Sequence, residues 1–289
     1  MPHLSVVIPA FDNADYIGAT VRSVLSQDHP DFELVIADHS STDDTLAVLE
    51  RYTADPRVTL LNTPTGGGAE ANWRRVTDAA SGELLKLLPG DDVLYPGALT
   101  AHADALDANP GVVLVSSPRD IMDARGRVTI ANRGLQGIPR RIQPGVEAVR
   151  QTVRRGTNVF GEPGSVTMRR QVLEDAGGWD ARFPYLIDQT GYTKVLLRGD
   201  YLPVDRTLGG FRVNDGQWSV ALVGQQAAQA KAYHAWCRSE APEVISASDV
   251  RLGDRRAELM ALARRAYYTL TAPRMKAAPL NGAPKAGAR

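Results

Sequence analysis

The sequence is poor in cysteine and has no excess of charge of either sign. Its 289 residues include one cysteine, Cys237, which excludes a disulfide bond within the chain and is typical of a reducing compartment. The 33 lysines and arginines equal the 33 aspartates and glutamates in number. Because nucleic-acid binding depends on a basic excess, this balance argues against nucleic acid as a partner.

Long hydrophobic runs are missing as well. No window approaches the ~18 apolar residues that a membrane span requires. The opening stretch MPHLSVVIPA has no charged leader, and its apolar run is too short for a signal peptide. We therefore expect a cytoplasmic protein, and peripheral attachment to a membrane surface stays open.

Short apolar runs instead alternate with segments of helical period up to about Asp120. The runs that read as buried strands are LSVVI, FELVIA, VTLL, ELLKLL and VVLVSS. Between the first two, Ile17, Val21, Val24 and Leu25 recur on one face of a helix. This alternation predicts βαβ units in an α/β fold, with a Rossmann-like, mainly parallel sheet flanked by helices.

Local signals add detail to this pattern. Ser41 and Asp44 have the spacing of a capping box, which predicts the start of a helix. The stretch around Arg125 and Gly126 predicts a hairpin. Lys86 interrupts an apolar strand; because lysines are rarely buried without a partner, it is expected to reach the surface or to meet phosphate or an acidic residue.

Three parts of the chain differ in composition. Residues 1–219 carry the α/β pattern, residues 220–276 predict a helical C-terminal extension, and the small, polar, basic residues 277–289 predict a disordered tail. Three roles for the extension stay open: a solvated helix face, contact with anionic lipid, and a homodimer interface.

Polar and turn-forming residues follow three predicted strands. The groups are Pro9-Ala10-Phe11, Asp38-His39-Ser40 and Asp91-Asp92. Open parallel sheets bind ligands beyond the carboxyl ends of their strands, so these groups predict a ligand site at one rim. Adjacent carboxylates suit Mg²⁺ or Mn²⁺, which bridge them to substrate phosphates. A turn without a ligand is the alternative for Pro-Gly-Asp-Asp.

Two common nucleotide-binding motifs are absent from these positions. The stretch PAFDNADYIG after the first strand lacks the glycines of G-x-G-x-x-G. The stretch TGGGAE follows the third strand and lacks the Gly-Lys-Ser/Thr of a phosphate-binding loop. The sequence therefore argues against a hydride-transfer enzyme and a P-loop NTPase.

Four stretches together resemble the family 2 glycosyltransferases, which have the GT-A fold. The stretch LSVVIPAFDNADYIGATVRSVLSQDHPDFELVIADHSSTDDT is similar to the N-terminal signature of the family, and ASGELLKLLPGDDVLYPGAL to its metal-binding segment. The stretches GEPGSVTMRRQVLEDAGGWDARFPYLIDQ and GGFRVNDGQWS are similar to later segments, in the expected order. The resemblance covers roughly residues 4–219.

The resemblance implies an inverting, metal-assisted transfer of a sugar from a nucleoside diphosphate, with UDP as the first candidate and Mn²⁺ or Mg²⁺ as cofactor. The acceptor is a hydroxyl of a glycan, a lipid-linked molecule or a small molecule. Asp92 is the implied metal ligand, and Asp188 the implied base, with Asp180 as second candidate. The implied nucleotide-binding residues are Pro9, Ala10, Phe11, Asp38, His39, Asn72, Asp91 and Arg212.

Further roles are implied less directly. Residues 161–164 are expected to line the sugar or the acceptor, and Gln217 and Ser219 to belong to a loop that closes over the donor. Asp188 also suits a helix N-cap, which is compatible with its role as base.

Departures from the family pattern keep alternatives open. His39 stands where the family has a second aspartate, and a neutral histidine accepts a hydrogen bond through one ring nitrogen only, so the base of the donor stays open. Pro89, Ile187 and Asn214 replace an acid, a glutamate and a histidine of the pattern. A catalytically inactive nucleotide-sugar-binding or scaffold protein therefore remains an alternative, and a sugar nucleotidyltransferase a less favoured one.

Overall fold

The computed structural model describes residues 2–63, 66–135, 137–217, 222 and 224–276. The expected tail 277–289, the division of the chain at 219 and Ser219 lie outside these residues. The strands are β1 (Leu4–Ala10), β2 (Phe32–Asp38), β3 (Val58–Asn62), β4 (Leu84–Leu87), β5 (Val93–Leu94), β6 (Val112–Ser116), β7 (Arg119–Met122), β8 (Val128–Arg133), β9 (Gln143–Pro144), β10 (Val166–Arg169), β11 (Asp200–Pro203) and β12 (Gly209–Arg212). The α-helices are α1 (Ile17–Leu25), α2 (Thr45–Glu50), α3 (Gly68–Asp78), α4 (Ala98–Asp107), α5 (Gly145–Arg155), α6 (Arg170–Asp175), α7 (Ile187–Leu196), α8 (Gln226–Glu240) and α9 (Ala247–Met275).

Eight strands form one central sheet in the order β3-β2-β1-β4-β10-β6-β11-β9. β1 is parallel to both β2 and β4, and β2 is parallel to β3. β10 is antiparallel to both of its neighbours, while β11 is parallel to β6. The predicted α/β fold with a mainly parallel sheet is therefore confirmed.

The strands of this sheet are mostly apolar because helices cover both faces; Ser5 and Lys86 are buried polar exceptions. Along β1, Val6 and Ile8 pack on one face with α1, α2 and α4. Val7 points to the other face, where it joins a core formed with α3, α5, α7 and α8. Neighbouring residues of a strand point to opposite faces, so a strand between two helical layers favours apolar residues on both faces.

A smaller sheet has the order β5-β12-β7-β8. β7 and β8 are antiparallel, which confirms the hairpin predicted around Arg125 and Gly126. β5 follows Asp92 directly and pairs with β12 through Gly209 and Gly210. This pairing brings the segment after β12 against the end of β4.

The two C-terminal helices pack on the body of the molecule, and α9 is held near both of its ends. At its start, Asp249 accepts hydrogen bonds from Ser246 and forms ion pairs with Arg150 and Arg154 of α5. Gly253 has no room for a Cβ, because the carbonyl group of Val153 lies against it. At its far end, carbonyl oxygens of Arg274 and Met275 accept hydrogen bonds from the backbone of Ala124 and Asp215, both at 3.2 Å. In the described residues, no helix is long and apolar enough to cross a membrane.

Two local expectations need correction. The capping box at Ser41 does not form: α2 begins after Asp44, and the Ser41 hydroxyl donates instead to the Asp38 carboxylate at 2.5 Å. Lys86 lies in a strand at the centre of the sheet, and among the described residues it reaches neither the surface nor an acidic group. Its ammonium group lies 3.1 Å from the Val166 carbonyl oxygen and 3.3 Å from His102 Nδ1, and burial lowers its pKa to about 7.

Candidate functional site

A cavity of about 1590 Å³ opens at the carboxyl ends of β1, β2 and β4 and extends to α9. Residues from all three strand ends line it, including Pro9, Phe11, His39 and Asp91. Asn72 and Asp188 line the same cavity. The strand ends therefore meet at one rim, as the strand pattern predicts.

The loops after β1 and β2 are tied together into a rigid frame at this rim. Asp12 Oδ1 accepts a hydrogen bond from the Thr42 backbone at 2.7 Å, and the Asp12 backbone donates to the Ser41 hydroxyl at 2.9 Å. Asp12 and Ser40 have left-handed backbones, with φ of 48° and 56°. Such conformations are costly for residues other than glycine and persist where surrounding contacts hold them, which is common at binding sites.

His39 and Phe11 form one wall of the cavity. Phe11 is 52% exposed, and its ring meets the His39 ring edge to face at a centroid distance of 6.1 Å. Arg75 Nη1 lies 2.9 Å from His39 Nδ1. A guanidinium group only donates hydrogen bonds, so Nδ1 accepts and the proton of neutral His39 sits on Nε2. Burial and the charge of Arg75 lower the pKa of His39, which keeps the ring in this neutral form.

Asn72 of α3 connects the ends of β1 and β2 below the rim of the cavity. Its amide nitrogen donates to the carbonyl oxygens of Ala10 at 3.2 Å and of Ala37 at 3.4 Å. Its Oδ1 is buried and has no hydrogen-bond partner within the described residues. Ala10 itself contributes its carbonyl group to this network, and its side chain is fully buried.

Asp38 does not line the cavity. Its carboxylate is 1% exposed and accepts hydrogen bonds from the hydroxyl and the backbone N–H of Ser41. Both oxygens thus hold the loop that carries His39, and the nucleotide contact expected of Asp38 stays a prediction.

Asp91 and Asp92 lie at the end of β4 and are both buried. Asp92 Oδ1 accepts a hydrogen bond from the Arg212 backbone at 2.8 Å, and Asp91 Oδ2 accepts one from Asn214 Nδ2 at 2.7 Å. Asp91 lines the main cavity, while Asp92 faces a small neighbouring space beside Glu162 and Gly164. The residues that support this pair come from the segment that includes and follows β12.

Burial raises the pKa of both carboxyl groups, and that of Asp92 rises furthest because Asp91 lies beside it. The Asn214 hydrogen bond and the charge of Arg212 lower the pKa of Asp91 and offset part of this effect. Two adjacent buried carboxyl groups with raised pKa values are the environment that a cation stabilises.

Arg212 serves this pair through its backbone and its side chain. Its Nε donates to the Asp91 carbonyl oxygen at 2.8 Å and its Nη1 to the Ala124 carbonyl oxygen at 3.2 Å. The guanidinium group stacks 4.9 Å from the centre of the Tyr16 ring and is absent from the cavity wall. Arg212 is 5% exposed and its side chain holds Asp91, and the diphosphate contact expected of it stays a prediction.

Asp188 occupies the second position of α7, so it is not the N-cap, which is Leu186. Its Oδ2 accepts a hydrogen bond from Asn158 Nδ2 at 3.1 Å. Burial raises its pKa to about 7, with a contribution from the charge of Glu162. A carboxyl group with this pKa takes up and releases a proton near neutral pH, which suits a general base.

Asp180 has different surroundings. It forms ion pairs with Arg182 and Lys194 and does not line the cavity. Burial would raise the pKa of Asp180, but the hydrogen bonds from Arg182 lower it. The geometry favours Asp188 as the base.

Glu162 and Arg119 form an ion pair at the site that the sequence analysis did not predict. Both line the cavity, and Arg119 Nη2 donates to Glu162 Oε1 at 2.6 Å. Residues 161–164 could be assigned to the cavity from the family pattern, but Arg119 carries no motif. Arg75, which sets the proton position of His39, is likewise part of an ordinary helix in the sequence.

The described residues contain no group of three or more His, Cys, Asp or Glu side chains placed to hold a metal ion. The oxygens that fit one are those of Asp91 and Asp92. Mg²⁺ and Mn²⁺ commonly bind through one or two carboxylates together with water and substrate phosphates, so this donor set fits a cation that arrives with a diphosphate.

Comparison with known proteins gives a family match. The model of the family described as "Glycosyl transferase family 2" matches residues 5–177. An uncharacterized protein of Mycobacterium tuberculosis, MT1568, is 32% identical over 206 residues, which are 68% of this chain and 63% of that protein. The GalNAc(5)-diNAcBac-PP-undecaprenol beta-1,3-glucosyltransferase of Campylobacter jejuni is 35% identical over 102 residues, which are 35% of this chain and 33% of that protein. The chain thus spans less than two thirds of each of these relatives.

Solved structures share the fold. TarS residues 1–349 of S. aureus, in complex with UDP-GlcNAc, match with a TM-score of 0.66 and 18% identity over 82% of this chain and 66% of that one. The mannosyltransferase PcManGT of Pyrobaculum calidifontis, in complex with GDP-Man and Mn²⁺, matches with a TM-score of 0.65 and 18% identity over 96% of this chain and 77% of that one. The GT-A fold implied by the sequence is thereby confirmed.

Proposed function

Because the chain belongs to glycosyl transferase family 2, we propose that it transfers a sugar from a nucleoside diphosphate to an acceptor hydroxyl. One observation carries the proposal: Asp91, at the end of β4, and Asp188, whose pKa is about 7, line the same cavity as His39 and Phe11. The cavity thus combines a surface for a base, carboxylates for a cation beside a diphosphate, and a carboxylate that can take a proton.

The donor base is proposed to lie against Phe11 and His39. The exposed Phe11 ring offers a stacking surface, and His39 offers the Nε2–H as a donor, because Nδ1 is occupied by Arg75. A hydrogen-bond donor at this place suits a base that presents a carbonyl oxygen, as uracil does. The complexes of the structural neighbours contain UDP-GlcNAc and GDP-Man, which supports a nucleoside diphosphate sugar as donor.

Asp91 and Asp92 are the proposed holders of Mn²⁺ or Mg²⁺. A divalent cation at these carboxylates would neutralise charge on the diphosphate leaving group. The PcManGT complex, which shares the fold, contains Mn²⁺, and this supports a divalent cation as the proposed cofactor.

Asp188 is the proposed base of an inverting, single displacement. The acceptor oxygen forms a bond to the anomeric carbon while the bond from that carbon to the diphosphate oxygen breaks. The bonding electrons leave with the nucleoside diphosphate, and the acceptor proton passes to Asp188. Asn158 orients the carboxylate through its hydrogen bond to Oδ2.

We also propose the organisation around this reaction. Residues 1–219 form the GT-A catalytic domain and residues 220–276 a helical extension, in a protein that works in the cytoplasm. The buried, unpaired Cys237 supports a reducing compartment. For partners, the proposal is that the C-terminal helices contact either a membrane surface or a second copy of the chain.

The test is hydrolysis of a panel of UDP-, GDP- and dTDP-sugars, with and without EDTA, by the wild type and by Asp92→Asn. We expect hydrolysis of one donor class that EDTA abolishes and Asp92→Asn lowers by at least about 100-fold. Calorimetry with the released nucleotide separates catalysis from binding. Binding of a nucleotide without turnover of any donor would instead support the inactive binding protein, and EDTA-resistant turnover would contradict the metal assignment.

A further inference from the structure

The cavity extends beyond Asp188 into a part with its own composition, which we call the acceptor half. Apolar side chains from three segments line it: Leu135 and Ile138 after β8, Val159 after α5, and Leu259 and Met260 of α9. These residues lie in the same continuous cavity as Phe11 and Asp91 at the strand ends. A ligand in this half would thus lie next to a donor bound at those strand ends.

The acceptor half is also positively charged. Arg133, Arg155, Arg256 and Arg264 line it, whereas the acidic residues of the cavity wall are Asp12, Asp91, Glu162 and Asp188, on or beside the strand ends and α7. Neutral oxygens hold two of these guanidinium groups: Arg256 Nη1 donates to the Arg154 carbonyl oxygen at 3.0 Å, and Arg264 Nε to Gln226 Oε1 at 2.7 Å. Their charge is therefore available to an anionic ligand.

We propose that the acceptor half binds the acceptor, and that the acceptor is an anionic amphiphile. Its apolar part would lie against Leu259 and Met260, its acidic group beside Arg256 and Arg264, and its hydroxyl at Asp188. This inference rests on the proposed function, since the hydroxyl oxygen attacks the anomeric carbon and its proton passes to Asp188 as described above. It assigns α9 a role in acceptor selection.

The probe is decyl phosphate below its micelle-forming concentration, titrated by calorimetry into the full chain with UDP and Mn²⁺ present. Butyl phosphate has the same acidic group with a short chain, and decyl maltoside has the same chain with a neutral head. Decyl phosphate is expected to bind at least about tenfold more tightly than either, because both the apolar wall and the guanidinium groups contribute.

Matched variants of α9 test the location. Leu259 lines the cavity and Leu262 does not, although they are similarly exposed, at 65% and 60%. Leu259→Ser is expected to weaken decyl phosphate binding about tenfold, and Leu262→Ser by less than about twofold. Arg256→Gln is expected to weaken it and to reduce its salt dependence, whereas Arg255→Gln, outside the cavity wall, leaves both unchanged.

Several results would overturn the inference. If decyl maltoside binds as tightly as decyl phosphate, the site does not require an anionic group. If Leu262→Ser weakens decyl phosphate binding as much as Leu259→Ser does, the ligand adsorbs to α9 in general. Release of a dimer on adding decyl phosphate would assign this face to a second copy of the chain. Donor hydrolysis by the wild type separates the two levels: if no donor is turned over, the proposed function fails and the assignment as acceptor site with it. If hydrolysis persists without binding of decyl phosphate, this inference alone fails.

Discussion

Replacing Asp188 with asparagine separates the chemistry of this carboxylate from its effect on folding. Burial raises the pKa of Asp188 from 3.8 to about 7. A carboxyl group with a raised pKa in the folded state stabilises the fold fully at pH below about 4, and this contribution is lost as the pH rises to about 7. Ionised Asp188 therefore opposes folding at pH 8, and the neutral asparagine does not.

The expected size of the effect follows from the pKa. At about 1.4 kcal/mol per pH unit, a rise from 3.8 to about 7 corresponds to about 4 kcal/mol at pH 8. This is an upper limit, because Asp188 lies at the wall of an open cavity and solvent screens its charge. We expect Asp188→Asn to raise the free energy of unfolding by about 1–2 kcal/mol at pH 8 after such screening.

The assay combines urea unfolding at pH 5 and pH 8 with donor turnover. The gain in stability should be larger at pH 8 than at pH 5. Turnover of the wild type should fall about tenfold per pH unit below pH 7, and Asp188→Asn should lower it about 10²- to 10⁴-fold with donor binding unchanged. Asp180→Asn is the control: its carboxylate pairs with Arg182, so this change should cost stability at pH 8 and leave turnover intact.

Two results would refute this reasoning. If Asp188→Asn is no more stable than the wild type at pH 8, the carboxylate is not held in an unfavourable environment. If the variant turns over donor and acceptor at the wild-type rate, Asp188 is not the base. A gain in stability together with a loss of turnover is expected of a residue kept for chemistry rather than for folding.

Three further predictions concern other residues. His39→Ala should weaken UDP binding about tenfold in calorimetry, and Arg75→Ala should raise the pKa of His39 and make UDP binding depend on pH near 6.5; unchanged binding in both would show that the base is not read here. Because burial lowers the pKa of Lys86 from 10.5 to about 7, the free energy of unfolding of the wild type should rise between pH 7 and pH 10, and this rise should be absent in Lys86→Met. Asp249→Asn should lower the free energy of unfolding by about 2–3 kcal/mol at pH 7. The hydrogen bonds of Ser246 and the ion pairs with Arg150 and Arg154 lower the pKa of Asp249 to about 2, against the effect of burial. The loss should therefore shrink as the pH falls from about 4 to 2, and a loss independent of pH would contradict this prediction.

The parallel strands could be predicted because burial on both faces leaves a signal within each segment. β1, β2 and β4 are mostly apolar, and polar or turn-forming residues follow where each apolar run ends. Since parallel strands end at one edge, the sequence alone predicts that Phe11, His39 and Asp91 lie at one rim, and all three line the cavity. The family pattern then added Asp188, which the strand pattern alone does not reach.

Contacts between distant side chains could not be predicted in this way. Arg119 and Glu162 are 43 residues apart, and the Arg212 backbone reaches Asp92 across 120 residues. Such pairs depend on how loops and strand registers bring segments together, which the spacing of residues does not reveal. The same limit explains Ser41, whose spacing fits a capping box but whose hydroxyl finds the stronger, charged acceptor of Asp38.

Backbone contacts hold α9 near both of its ends, and side-chain contacts hold it in between. Near the start of the helix, the backbone of Gly253 lies directly against the Val153 carbonyl group. Near its end, the carbonyl oxygens of Arg274 and Met275 accept backbone hydrogen bonds. At ~1.5 Å per residue, the 22 residue steps from Gly253 to Met275 span about 33 Å. Arg264, halfway along this span, donates to Gln226 Oε1 at 2.7 Å, and the Tyr267 hydroxyl lies 3.1 Å from that of Thr129. A truncation after Lys276 would keep the contacts at both ends of α9, whereas one after Leu270 would remove the hydrogen bonds to Arg274 and Met275.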